Sequence, residues 1–308
     1  YTITMKTKYV ALALMIVTLV SCNEKLPEGK DVPITVSANV ESMITRAGYG
    51  ATESGTSVLP ETFYLNIKQE EGTSQYNYSN VQMTKGENNK YVAGQTLLWK
   101  DATRNPSVSA YTTTSTAVSV SSDQSTAAKV TENDLLGAVS TTSGDITVTG
   151  DNISIRFRHL LCKLDVTYSF GSSLSGAGVS CTIASVTYQG FGTSATLNCD
   201  AGTIDQGNDT GNISSYVDGL KSEAIFVPCS STNAKLLVSV NVTTGEGSSA
   251  TTSQRDFSVS LPSNVTFTSG NRYTMNVKLG GDSAGIGEIS VAGWTEGDLG
   301  ENANLMAE

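Results

Sequence analysis

Residues 31–44 read DVPITVSANVESMI and alternate almost strictly. Val32, Ile34, Val36, Ala38 and Val40 fall on one face; Thr35, Ser37, Asn39 and Glu41 fall on the other. A period of two over this length is the signature of a half-buried β-strand. Thr45-Arg46-Ala47 follows, then a segment with Gly48, Gly50 and Gly55 that has no periodicity. Strand patterning resumes at 62–70, where Phe63, Leu65 and Ile67 alternate with Tyr64, Asn66 and Lys68. Further strands are predicted at 76–83, 91–99, 108–113, 117–121, 146–149 and along the run 153–170. The one helical stretch is predicted over 126–139, around Asp134-Leu135-Leu136.

Gly171 to Gly178 (GSSLSGAG) reads as a linker or long turn. A second series of strands is predicted beyond it, at 179–189, 195–198, 223–228, 236–243, 255–261, 273–279 and 286–294. Each half therefore carries about seven strands with turn signals at the spacing of a sandwich. The expectation is all-β: two tandem β-sandwich domains, 22–171 and 172–308.

Upstream, Lys6 and Lys8 precede an apolar run at 9–20, closed by Leu19-Val20-Ser21-Cys22. A run of about 12 residues is too short to cross a bilayer core, which needs roughly 20. It has the length and flanks of a secretory h-region. The terminal cysteine resembles a bacterial lipobox, so residues 1–21 are expected to be a lipoprotein signal peptide and Cys22 its lipidated residue. Met5 is the expected start, with 1–4 an upstream extension. The formal charge of −10 argues against nucleic acid. Four cysteines remain: Cys162, Cys181, Cys199 and Cys229. Four permit three pairings in an oxidising compartment. Cys162, however, alternates with Leu164 and Val166 as an inward strand residue, so disulfide and free thiol both stay open.

Several patterns resemble one family. Arg156-Phe157-Arg158-His159-Leu160-Leu161-Cys162-Lys163-Leu164, preceded by Asp134-Leu135-Leu136-Gly137-Ala138, is similar to the F-x-H-x-x-x-K-L strand of the fimbrillin-like proteins of Bacteroidales. Gly270-Asn271-Arg272-Tyr273 resembles their G-x-x-Y strand, and Ile289 to Trp294 their closing element. The resemblance implies two transthyretin-like β-sandwiches and a pilus subunit, tip or anchor that travels as an outer-membrane lipoprotein. It also implies an arginine-specific protease that cuts after the first strand, here at Arg46-Ala47. The cut would free Cys22 with its lipid and the strand bearing Val32, Ile34, Val36, Ala38 and Val40. Losing that strand would cost on the order of 5–10 kcal/mol, comparable with a domain's whole stability. The uncovered groove would take a strand from another pilus subunit by β-strand addition. The alternative is that Arg46 is an ordinary linker arginine and the first strand stays in place. The acidic tail 295–308 makes a poor donor strand, which points to a tip or accessory role.

The chain is not read as an enzyme and no cofactor is expected. His159 is the single histidine, which excludes multi-histidine zinc sites. It lies in a strand pattern, and no G-x-S-x-G accompanies it. Asp200 to Asn212 (DAGTIDQGNDTGN) fails the spacing of an EF-hand and reads as an acidic hairpin loop. Asp282-Ser283-Ala284 resembles an O-glycosylation site of exported proteins in the same bacteria, with Ser283 as the acceptor. The second functional reading is a monomeric surface lipoprotein that binds a glycan or host protein. Tyr76, Tyr78, Tyr91 and Trp99 are either a sugar-binding platform or core residues.

Overall fold

The computed structural model describes residues 32–40, 59–69, 76–99, 106–207, 209–280 and 284–293. Cys22, Arg46, Ala47, Ser283 and the tail from Trp294 onward lie outside these residues. Strands make up most of the described chain, and Ala127–Glu132 is its one α-helix. Two hydrophobic cores divide it into two units.

The first unit is one eight-stranded sheet. Its order is Ile146–Thr149, Asn152–His159, Thr35–Val40, Lys90–Ala93, Tyr78–Lys85, Thr62–Lys68, Ser107–Tyr111 and Leu136–Val139. The last strand returns to pair with Asn152–His159 through Gly137 opposite Arg158 and Leu136 opposite His159. The sheet therefore closes into a barrel-like ring, which leaves the ring strands without an open edge. Strict alternation fills the interior: Phe63, Leu65, Ile67, Ile153, Ile155 and Phe157 are each essentially inaccessible to solvent.

Two larger sheets build the second unit, together with the short pair Cys229–Ser230 and Thr266–Phe267. One has five strands in the order Tyr216–Asp218, Lys221–Phe226, Cys162–Phe170, Asn271–Leu279, Ala284–Gly293. The other orders Thr203–Ile204, Val179–Asn198, Lys235–Thr244 and Thr251–Ser260, and Asp209–Ser214 also pairs with Val179–Asn198. Leu164, Val166 and Tyr168 from one sheet share a core with Val186, Tyr188 and Val238 from the other.

Several boundaries differ from the sequence reading. The run 153–170 is two strands, and the second, Cys162–Phe170, belongs to the second unit, where it pairs with Lys221–Phe226 and Asn271–Leu279. The division between cores thus falls near Leu160, not at Gly171. Gly171 to Gly178 is a turn inside the second unit: the Gly171 N–H donates to the Leu279 carbonyl at 2.8 Å and Leu174 is buried. The stretches 179–189 and 195–198 are one bulged strand, Val179–Asn198. Ala117–Ser119 crosses over to pair with that strand. The helix ends at Glu132, where Asn133 caps it with its Nδ2 on the Lys129 carbonyl at 2.6 Å. Leu136–Val139 is a strand buried on both faces, with Leu136 and Ala138 in the first core and Val139 in the second. Burial on two faces erases the alternation that separates strand from helix.

One bulge in Val179–Asn198 depends on glycine. Gly190 has φ +78°, and a Cβ there would sit 2.7 Å from the Asn233 carbonyl oxygen. Gly150 has φ +61° with open space around it. Gly190→Ala is therefore expected to cost about 2–4 kcal/mol, from backbone strain plus overpacking, and Gly150→Ala about 1–2 kcal/mol from strain alone. Urea midpoints of the two variants check the order; equal shifts would contradict it.

Candidate assembly groove

The leading strand sits inside the ring rather than beside it. Val32–Pro33 pairs with Leu98–Trp99, and the Ile34 N–H donates to the Leu97 carbonyl at 2.8 Å. From Thr35 to Val40 the strand runs parallel to Asn152–Phe157, six residues in register, and antiparallel to Lys90 and Tyr91. Val36, Ala38 and Val40 are buried, Val32 and Ile34 half-buried, and Thr35 and Asn39 exposed. The predicted face thus points inward along its whole length, most fully at its C-terminal half.

Polar groups at the outer face fix the register. The Thr35 hydroxyl donates to the Asn152 Oδ1 at 3.1 Å, and the Asn152 Nδ2 donates to the Ser37 Oγ at 3.4 Å. Beneath the strand, the Phe63 ring meets Tyr91 at 4.7 Å and Phe157 at 5.1 Å, both edge to face. The Tyr91 hydroxyl donates to the Pro60 carbonyl at 2.6 Å. Burial, followed by the Glu61 charge, pushes this phenol up to about 12. A cleft of about 340 Å³ opens between Ile34–Val36 and the 91–97 segment, where the ladder to Lys90–Tyr91 stops.

Every partner of this strand is distant in sequence. Its ladder residues lie at 90–99 and 151–157, and its own chain reaches the unit only through 41–58. Non-covalent contacts alone would hold it if that connection were cut. Its pairs resemble those made by a separate chain.

The other predicted positions have structural settings. Tyr76, Tyr91 and Trp99 are buried, and the half-buried Tyr78 accepts a hydrogen bond from the Leu98 N–H at 2.9 Å. The aromatic platform does not hold; these rings are core and its margin. His159 is buried with Nδ1 3.0 Å from Asp134 Oδ1. Four residues on, Lys163 is fully buried, its Nζ 2.6 Å from Glu223 and 3.3 Å from Asp165, while Arg272 also pairs with Asp165. The F-x-H-x-x-x-K-L stretch therefore joins the units: His159 ends the last strand of the first, and Lys163 opens the second. Cys162, Cys181, Cys199 and Cys229 are free thiols. Burial pushes the Cys162 thiol up, and its Sγ donates to the Thr268 carbonyl at 3.1 Å. Among the described residues no three His, Cys, Asp or Glu side chains converge to hold a metal ion.

Sequence reasoning missed the contacts between units. Tyr111 donates its hydroxyl to the Cys199 carbonyl at 2.6 Å, and Arg158 Nη2 donates to the Gly202 carbonyl at 3.5 Å. Tyr111 ends an ordinary alternating strand, and nothing local marks it as a bridge.

Known proteins place this architecture. A model of the fimbrillin-like family matches residues 45–294. A curated relative from Bacteroides uniformis, "Putative fimbrium subunit Fim1C", is 28% identical over 311 residues, covering 96% of this chain and 97% of its own. A crystal structure of a "putative cell adhesion protein" from the same species superposes with a TM-score of 0.57 at 21% identity, covering 86% of this chain and 99% of that one. A fimbrial protein from Bacteroides vulgatus superposes at 0.55 with 13% identity, covering 85% and 99%.

Burial dominates the Glu223 carboxyl and raises it above its ordinary 4.5, while Lys163 pulls it the other way. Folding then takes up a proton at this site. The stability this brings is complete below 4.5 and is lost as pH climbs through the raised value. Relative to Glu223→Gln, the wild-type chain is expected to lose thermal stability as pH rises from about 4.5. Melting curves of both across that range test it, and parallel pH profiles would refute the assignment.

Proposed function

The chain belongs to the fimbrillin-like family, and from that premise we propose that it is a fimbrial subunit assembled by exchange of its leading strand. The family is structural and adhesive, not enzymatic, and its members reside in the fimbrium at the cell surface in association with other pilus subunits. The finer steps are our own reading. The chain is exported as a lipoprotein through Cys22 to the outer membrane. An arginine-specific protease then cuts at Arg46-Ala47, and the leading strand leaves its groove for a strand from a neighbouring subunit.

One observation carries this reading: Thr35–Val40 is an interior strand of a closed sheet whose hydrogen-bonding partners are all remote in sequence. Its removal would expose the Asn152–Phe157 edge and uncover the side chains beneath Val36, Ala38 and Val40. Two buried valines and the apolar remainder are worth about 5 kcal/mol, before the lost ladder is counted. A domain's total stability is about 5–15 kcal/mol, so the opened unit needs a replacement strand. The family match begins at residue 45, next to the proposed scissile bond, which supports the reading. Ala284–Gly293 is paired with Asn271–Leu279 in its own sheet, so donation of that segment to a second copy would first require it to leave this pairing. A tip or accessory position fits best, since 295–308 carries two glycines and four acidic residues in 14 positions without alternation. Ser283 is the proposed O-glycan acceptor.

Protein cut at Arg46 is expected to form multimers with partner subunits that survive an unheated detergent gel. Arg46→Ala should fold normally, keep its N-terminus through Cys22 and stay monomeric. Multimers formed equally well by Arg46→Ala would sink the proteolytic switch.

A further inference from the structure

The leading-strand groove is not the largest recess. A cleft of about 550 Å³ lies between the two units, where Thr62–Lys68 and Ser107–Tyr111 of the first face the Cys199–Asp200 turn of the second. Its size falls within the range of small-molecule sites, about 300–1,000 Å³. The buried Tyr111 ring contributes to its wall, and the hydroxyl of Tyr111 ties the units together through the Cys199 carbonyl. We propose that this cleft binds a neutral, hydroxyl-rich oligosaccharide.

Polar groups left over from folding are the first reason. Asn66 uses its Oδ1 to accept the Asn80 N–H at 2.8 Å, which leaves its Nδ2 available. The hydroxyls of Ser79, Ser107 and Ser109 and the carboxylate of Asp200 make no hydrogen bond among the described residues, and all of them line the cleft. An amide donor, a carboxylate acceptor and hydroxyls that can do either match vicinal sugar hydroxyls, each of which both donates and accepts.

Other ligand classes fit poorly. A peptide adding as a strand needs an unpaired edge, yet Thr62–Lys68 and Ser107–Tyr111 are each paired on both sides. Among the described residues Lys68 is the one cation in the lining, and the same lining carries the Asp200 carboxylate. The chain's charge of −10 further disfavours phosphate-rich or sulfated ligands. Hydroxyls and amides spread through the lining disfavour an acyl chain.

Position also favours an accessible site. Around the ring, Thr35–Val40 and Thr62–Lys68 are separated by Lys90–Ala93 and Tyr78–Lys85. The cleft therefore stays open whichever strand fills the assembly groove, and the two functions do not compete.

The purified protein on a printed array of neutral and N-acetylated oligosaccharides tests the site. The account expects at least one such glycan to bind. Ser107→Trp, which fills the cleft from an exposed position, and Asp200→Ala, which removes an exposed acceptor, should each weaken binding about tenfold or more with unchanged melting temperature. Val92→Ala, outside the cleft, should bind normally. Three results would overturn the proposal: an array with no bound spot, binding indifferent to both cleft variants, or equal binding to mucin stripped of its glycans, which would make the ligand a protein.

Discussion

The parallel pairing of Thr35–Val40 with Asn152–Phe157 is the contact on which the first unit rests. On its other side the same strand meets Lys90 and Tyr91, so it links the two halves of the ring. Without it, the order Lys90–Ala93, Tyr78–Lys85, Thr62–Lys68, Ser107–Tyr111, Leu136–Val139, Asn152–His159, with Ile146–Thr149 still paired to the last, remains a curved open sheet with its apolar face uncovered. The closure is a long-range one, made between residues more than a hundred positions apart, and such pairings come late and at an entropic cost.

The second unit does not share this dependence. Its core contains no residue from 32–40, and its two sheets are completed by strands from 162 onward together with Ala117–Ser119. Between the units, Leu136–Val139 contributes to both cores, Arg158 Nη2 donates to the Gly202 carbonyl, and Tyr111 reaches Cys199. Opening the ring would therefore spare the second unit's core, which suits a subunit that must stay folded while one strand is replaced. The inter-unit cleft shares Tyr111 and Cys199 with these contacts, and none of residues 32–40 lines it.

Alternation made the leading strand and most of the first sheet legible, because each strand there buries one face and wets the other. Phe63, Leu65 and Ile67 are the clearest case. The signal failed where both faces are covered, as at Leu136–Val139, and where a break between strands is apolar, as at Leu160-Leu161. Glycine and serine at 171–178 resembled a linker, yet Leu174 anchors that turn in the core. Among the candidate site residues, the inward set of the leading strand was readable from its period, and the aromatic residues between 76 and 99 were ambiguous because alternation does not say which face is wet. The inter-unit cleft left no local trace, since Asn66, Ser109 and Asp200 come together only through the tertiary fold.

The direct test of the central claim is to vacate the groove and offer the strand back. Protein cut after Arg46 and freed of its N-terminal fragment would be titrated with a synthetic peptide of residues 31–44. The account predicts saturable one-to-one binding and a recovered melting temperature, with a Val36→Asp peptide inactive. No binding, or a cut protein that melts as the intact chain does after the fragment has left, would show that the strand does not complete the fold.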